Sequence, residues 1–261
     1  MEKLTIIKVG GKIVEQPESL LHLLTSFRQI QGKKILVHGG GRSATALATR
    51  MGVETTMIDG RRVTDHQMLQ IVTMVYAGQV NKSIVASLQA LEINALGLTG
   101  ADADIIRSHK RPATPQADFG WVGDVDRVSA HPLLMLLDAG ITPVIAPLTH
   151  DGQGHMLNTN ADTMAQAVAT GLAPHFDVEL IYTFEKPGVM KADTDNPDDV
   201  ISHITPDSFQ ALRSDGIVTG GMIPKIENAI EALRQGVRQV TITKADNLHE
   251  PSAGTRITLG C

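Results

Sequence analysis

Residues 4–11 read Leu4-Thr5-Ile6-Ile7-Lys8-Val9-Gly10-Gly11, an almost unbroken apolar run closed by a lysine and a glycine pair. A strand with one face in water alternates apolar and polar residues, so a continuous run implies burial on both faces. Five further runs repeat the pattern, at 34–37, 95–98, 141–145, 178–182 and 237–242, each ahead of a glycine-containing turn and a helical pattern. Helices are predicted over 19–29, 43–50, 65–91, 132–138, 161–170, 206–212 and 224–234, several opening with Ser, Asp or Pro, as helix starts prefer. Continuous strands alternating with helices give an α/β fold: a mainly parallel open sheet covered on both faces.

The rest of the chain fits one continuous sheet with two lobes. No repeat and no low-complexity linker interrupts it, and the division is expected near 171–174, giving an N-terminal lobe of residues 1–173 and a C-terminal lobe of residues 174–261. Between 105 and 127 a polar, proline-containing stretch holds the only tryptophan, Trp121. It reads as a hairpin excursion over the sheet, and 193–199 reads as an acidic surface link.

Composition excludes several classes of function. Of 261 residues 42% are hydrophobic and 20% charged, which argues against a disordered chain. Twenty-three basic against 28 acidic residues leave a net charge of −5, so no global positive field exists to hold nucleic acid or an anionic membrane. The one cysteine, Cys261, cannot form an intrachain disulfide, which suits a cytoplasmic protein. The apolar stretch 4–7 is too short for a signal peptide, and 133–148 is broken by Asp138 and two prolines, so no membrane span is expected. The ten histidines show no metal-ligand spacing; the nearest pair, His150 and His155, falls in a glycine-rich turn. No protein-built metal site is expected.

Three glycine clusters carry the functional signal: Lys8-Val9-Gly10-Gly11, His38-Gly39-Gly40-Gly41-Arg42-Ser43 and Thr219-Gly220-Gly221-Met222-Ile223-Pro224-Lys225. Each could be a tight turn, or a loop whose amides gather on an anion at a helix N-terminus. Lys225 falls in the first turn of its helix, where the dipole disfavours a cation by up to about 1 kcal/mol. A phosphate between them removes that penalty. Lys8 ends its strand at the carboxyl edge, where α/β sheets bind ligands. Asn158-Thr159-Asn160-Ala161-Asp162 reads as a helix cap, and Arg61 and Arg62 suit a carboxylate or plain solvation. There is no Gly-x-x-x-x-Gly-Lys-Ser/Thr loop. A degenerate dinucleotide fingerprint, Gly39-x-Gly41-x-x-Ala44 with Asp59 about 20 residues on, keeps a dehydrogenase open.

In chain order, Ile6-Ile7-Lys8-Val9-Gly10-Gly11, Val37-His38-Gly39-Gly40-Gly41, Gly60-Arg61-Arg62-Val63-Thr64, Asn158-Thr159-Asn160-Ala161-Asp162 and Gly220-Gly221-Met222-Ile223-Pro224-Lys225 resemble the amino acid kinase family over essentially the whole chain. The resemblance implies a three-layer α/β/α sandwich with the acylated amino acid in the N-terminal lobe and ATP, carrying Mg2+, in the C-terminal lobe. It implies ATP-dependent phosphorylation of the γ-carboxylate of N-acetyl-L-glutamate, or a close N-acyl-L-glutamate, in arginine biosynthesis. It makes Lys8 and Lys225 the lysines that stabilise the moving phosphoryl group and Asp162 the acid that positions both. Gly40, Gly41, Arg62 and Asn158 would meet the substrate; Gly10, Gly11, Glu185, Gly188, Thr219 and Gly221 would meet ATP.

A glutamate side chain is ionised at neutral pH, with a reference pKa near ~4.3, so the acceptor needs no general base. The need is for positive charge and positioning where two anions meet. Thr183-Phe184-Glu185-Lys186-Pro187-Gly188-Val189 departs from the family pattern, with Glu185 where a shorter Asp is usual, which bears on nucleotide contacts. Sister kinases acting on other carboxylates or carbamate, and a non-catalytic nucleotide sensor, are the alternatives. The first strand begins within three residues of Met1, without the extra N-terminal helix of arginine-inhibited relatives, so a homodimer free of arginine feedback is expected.

Overall fold

A computed structural model of the chain describes all residues except 59, 192–195, 249, 251, 252 and 261. Asp59, Cys261 and part of the acidic link at 193–199 therefore lie outside the described residues. In chain order the elements are β1 (Lys3–Val9), α1 (Gly11–Glu15), α2 (Pro17–Gln29), β2 (Lys33–His38), α3 (Gly41–Arg50), β3 (Met57–Ile58), β4 (Arg61–Arg62) and α4 (His66–Thr73). A π-helical stretch, Met74–Val80, leads into α5 (Asn81–Ala90), followed by β5 (Ala95–Leu98), β6 (Ile106–Lys110), β7 (Gly123–Val128), α6 (Ala130–Asp138) and β8 (Thr142–Ile145). The chain continues through β9 (Leu148–His150), β10 (Met156–Asn158), α7 (Ala161–Leu172), β11 (Asp177–Phe184), β12 (His203–Ile204), α8 (Pro206–Ser214), α9 (Met222–Arg234), β13 (Gln239–Lys244) and β14 (Thr255–Ile257).

Eight strands form the central sheet in the order β12-β14-β13-β11-β1-β2-β8-β5. Neighbours run parallel throughout except β13 and β14, which are antiparallel. Leu4, Ile6, Ile7 and Val9 of β1 are wholly buried, each contributing about 1.5–3 kcal/mol relative to an exposed side chain. Successive side chains point to opposite faces. Leu4 and Ile6 join one apolar core with α6, α7, α8 and α9. Ile7 and Val9 join the other, with α2, α3, α4 and α5. This is a three-layer α/β/α sandwich.

The chain leaves β1 toward β2 on one side, whereas β11 leads to β13 on the other. Loops diverging in this way open a crevice beyond the carboxyl ends of the strands. Over that crevice lies a second sheet, β10-β9-β6-β7. The hairpin expected between 105 and 127 is thus half of a four-stranded roof, because β9 and β10, at three residues each, are too short to show a period. An isolated bridge, Thr64–Gly120, ties the chain entering β7 to the segment after β4, and a second, Val122–Asn158, ties it to β10 within the roof.

Candidate active site

Lys8 shares its face of β1 with Leu4 and Ile6, so its side chain runs toward the layer that contains α7 and α9. Asn160 caps α7, its side-chain oxygen accepting from the Asp162 and Thr163 amides at 2.8 and 3.1 Å. With Asn160 doing the capping, the Asp162 carboxylate is left for the crevice. Its Oδ1 lies 2.7 Å from the Lys8 ammonium, and Lys225 donates to its Oδ2. Helix α9 begins at Met222, two residues ahead of the expected start. Pro224 is therefore its third residue, where a backbone amide has no intrahelical acceptor to lose, and Lys225 follows directly behind it.

Three charges thus meet with a net of +1. Burial works to raise the Asp162 carboxyl, but Lys8 and Lys225 outweigh it and hold the group at about 2. Burial pulls Lys8 below the ordinary lysine value of 10.5, Asp162 opposing and Lys225 assisting. Tyr182, beside Lys8 in parallel register on β11, is pushed well above 10 by burial and by the Asp162 charge.

These lysines border a cavity of ≈ 350 Å³ that is also lined by Gly10, Gly11, Gly40, Gly41, Asp162 and Glu185. A second cavity of ≈ 190 Å³ is lined by Arg62, Asn158, Arg111 and Asp124, and it too borders Gly39, Gly40 and Gly41. The glycine loop is the wall that both cavities share. Gly40 has to be glycine for a steric reason: a Cβ there would stand 2.9 Å from Cδ1 of Tyr76. The Gly39 amide donates to the Val9 carbonyl at 3.0 Å, which locks this loop to the first glycine loop.

In the smaller cavity Arg62 is 8% exposed. One amino nitrogen donates to the Gly41 carbonyl at 2.7 Å and to Thr45 Oγ1 at 2.8 Å, and the other reaches Thr55 Oγ1 at 3.4 Å. Among the described residues no carboxylate pairs with it, whereas Arg111 holds Asp124 through two nitrogens, Nε at 3.0 Å from Oδ2. A buried guanidinium without a counter-ion favours an anionic ligand. The Asn158 side chain donates to Thr64 Oγ1 at 2.9 Å, which fixes it at the lining of the same cavity.

The structure brings Lys8, Lys225, Asp162, the four cavity glycines and Glu185 to one crevice, with Arg62 and Asn158 beside it. Gly188, Thr219 and Gly221 border neither cavity. Gly188 is a packing glycine, since a Cβ would meet Val200 Cγ1 at 2.7 Å, and Thr219 and Gly221 lie exposed ahead of α9. Glu185 is ion-paired with Lys12 at 2.5 Å across the cavity mouth. Sequence reasoning missed Lys12, Tyr182, Thr45 and Thr64. Lys12, directly after the Gly10-Gly11 pair, was the one with a local signal. Among the described residues no three His, Cys, Asp or Glu side chains gather to hold a metal ion, and no helix is long and apolar enough to cross a membrane.

A parallel sheet with its crevice at the switch point, and two cavities joined at an amide-lined wall under two lysines, define an α/β enzyme built around a moving anion. Comparison with known proteins agrees. The sequence pattern of the amino acid kinase family matches residues 3–244. An acetylglutamate kinase of Parabacteroides distasonis is 56% identical over 98% of this chain and 100% of its own. Among solved structures, smu.665 of Streptococcus mutans UA159 superposes with a TM-score of 0.82 at 29% identity over 98% of this chain and 99% of that one. Carbamate kinase of Giardia lamblia bound to AMP-PNP shares the fold, with a TM-score of 0.71 at 15% identity over 99% of each chain.

The chain belongs to the amino acid kinase family. It is a kinase, and the dinucleotide reading of Gly39, Gly41 and Ala44 gives way to that assignment.

Proposed function

We propose that this kinase transfers the γ-phosphoryl group of ATP to the γ-carboxylate of N-acetyl-L-glutamate, giving the acyl phosphate, as a step of arginine biosynthesis. The observation that carries the reading is the carboxylate of Asp162 holding Lys8 and Lys225 at a cavity that meets, at Gly39–Gly41, a second cavity lined by Arg62, with which no carboxylate among the described residues pairs. Lys8 and Lys225 stabilise the charge spread over the moving phosphoryl oxygens, and Asp162 holds both in place. Arg62 takes the α-carboxylate of the substrate, Asn158 its amide portion, and Gly40 and Gly41 lie at the crossing.

In this reading residues 1–173 hold the acyl amino acid and residues 174–261 the nucleotide, with Gly10 and Gly11 at its phosphates. The donor set suits ATP bringing its own magnesium. Both Asp162 oxygens already serve lysines and Glu185 serves Lys12, so the ion would be held mainly by phosphate oxygens and water. Bound there, magnesium offsets the triphosphate charge. The enzyme would work in the cytoplasm as a homodimer without arginine feedback; light scattering near six subunits, or inhibition by arginine, would contradict that.

The test is ADP release with N-acetyl-, N-succinyl- and free L-glutamate, aspartate and carbamate. The highest kcat/KM with N-acetyl-L-glutamate is expected, and equal or better turnover of another acceptor would redirect the assignment within the family.

A further inference from the structure

The imidazole of His38 lies under the glycine loop, wholly buried and outside both cavities. It sits at the end of β2 on the face turned to α5. Its Nδ1 is 2.7 Å from the carbonyl oxygen of Gly39, and its Nε2 is 3.1 Å from Nδ2 of Asn81. The Asn81 amide is itself anchored, donating to the Val144 carbonyl at 2.9 Å.

Donors and acceptors in this chain can be arranged in one way. A carbonyl only accepts, so Nδ1 carries the proton; the Asn81 amide nitrogen only donates, so Nε2 accepts. Burial lowers the His38 pKa to about 4, the Gly39 contact opposing and Lys82 assisting, so the ring is neutral and carries that single proton.

The Gly39 carbonyl and the Gly40 N–H belong to one peptide unit, and no described peptide bond is cis. In a trans peptide the two groups point in opposite directions. A carbonyl held down toward His38 turns the Gly40 N–H away from the ring, to the side where both cavities border Gly40. That nitrogen faces the other glycine loop, 3.7 Å from where a Cβ of Gly11 would be. Among the described residues no protein acceptor takes this N–H.

We propose that His38 is a positioning residue: its Nδ1–H clamps the Gly39–Gly40 peptide so that the Gly40 amide is fixed as a donor to the phosphoryl group in transfer. This rests on the kinase reading above. The strand, the imidazole and Asn81 set the amide direction before substrate arrives, so no reorganisation is needed at the reacting centre.

The experiment pairs two variants with a spectrum of the wild-type protein. His38→Leu removes the donor, and His38→Asn keeps an N–H near the Nδ1 position. Losing one well-placed donor lowers kcat by about 10²–10³-fold. The expected result is a fall of that order in His38→Leu with both KM values within about threefold, and kcat within about tenfold of wild type in His38→Asn. Nitrogen NMR of histidine-labelled wild-type protein is expected to show His38 as the neutral Nδ1–H form from pH 5 to 8.

A kcat within threefold of wild type in His38→Leu, or equal losses in both variants, would overturn the proposal. So would an Nε2–H or doubly protonated ring. If the leucine variant does not fold, or if the wild-type enzyme phosphorylates none of the acceptors, the spectrum still decides the peptide orientation. In the second case it is the kinase reading that fails.

Discussion

The Lys8 ammonium stands 2.7 Å from Oδ1 of Asp162, on the carboxylate oxygen that Lys225 leaves free. One acid on the first turn of α7 thereby gathers cations from the first strand and from α9, the last α-helix. Removing its charge while keeping its shape, as in Asp162→Asn, leaves two ammonium groups facing each other. Turnover should fall by at least about 10²-fold, with protein still folded by circular dichroism; turnover within threefold of wild type would contradict the role.

The same carboxylate couples stability to acid. Its folded pKa is about 2, against ~3.9 for a free Asp, so its stabilising effect is complete above pH 4 and is lost as pH falls toward 2. The difference corresponds to about 2–3 kcal/mol. Urea unfolding should find wild type more stable than Asp162→Asn at pH 7 by at least about 2 kcal/mol. The gap should narrow as pH falls through 4; a gap independent of pH would show that Asp162 is not the group responsible.

Lys8 governs the alkaline side. Burial lowers its pKa below 10.5, and the charged form is the useful one, so activity is lost as pH rises through that lowered value. The kcat/KM profile, which reports free enzyme, should bend downward below pH 10.5. Lys8→Arg, charged throughout this range, should lose rate at every pH but lack the bend. A bend of the same position in both proteins would assign it elsewhere.

Among the described residues Arg62 has no counter-ion, and it has two strong neutral acceptors, Gly41 O and Thr45 Oγ1. A charge-assisted hydrogen bond is worth about 1.5–3 kcal/mol. Arg62→Lys should therefore raise the KM for the acyl amino acid by about 10–100-fold and leave the KM for ATP unchanged. Equal effects on both would place the residue in general packing.

The Lys12–Glu185 pair is about half exposed, and such pairs contribute at most about 1 kcal/mol. Glu185→Ala should change the KM for ATP less than about fivefold, with the difference shrinking as salt is raised. A loss of 50-fold or more would give Glu185 a direct nucleotide contact.

The sheet was legible where both faces are buried: β1, β2, β5, β8, β11 and β13 each declared itself as a short apolar run. β12 and β14, of two and three residues, carry no period, and their place at the edge is decided by the pairing of β14 with β13 and of β12 with β14 rather than by their own composition. The single long helix expected over 65–91 is α4, a π-helical stretch and α5, because backbone pairing, not side-chain pattern, distinguishes these forms. Asn160 shows the same limit in the site. The stretch Asn158–Asp162 reads as an asparagine cap with an acid in the first turn; which asparagine caps, Asn160, and that the acid turns to the two lysines are seen only in three dimensions. The His38–Asn81 contact needs the register of α5 against β2, which no local pattern encodes. Glycine loops and terminal lysines survive translation into three dimensions because their chemistry is carried by backbone and strand ends. The direction of each side chain is not.

The central claim is that Lys8 and Lys225 together stabilise the phosphoryl group in transfer. Single-turnover phosphorylation of N-acetyl-L-glutamate by Lys8→Ala and Lys225→Ala, with ATP affinity measured separately, tests it most directly. The expected result is a rate at least about 10²-fold slower in each variant, with the ATP dissociation constant changed far less. Transfer within threefold of wild type in both variants would contradict it.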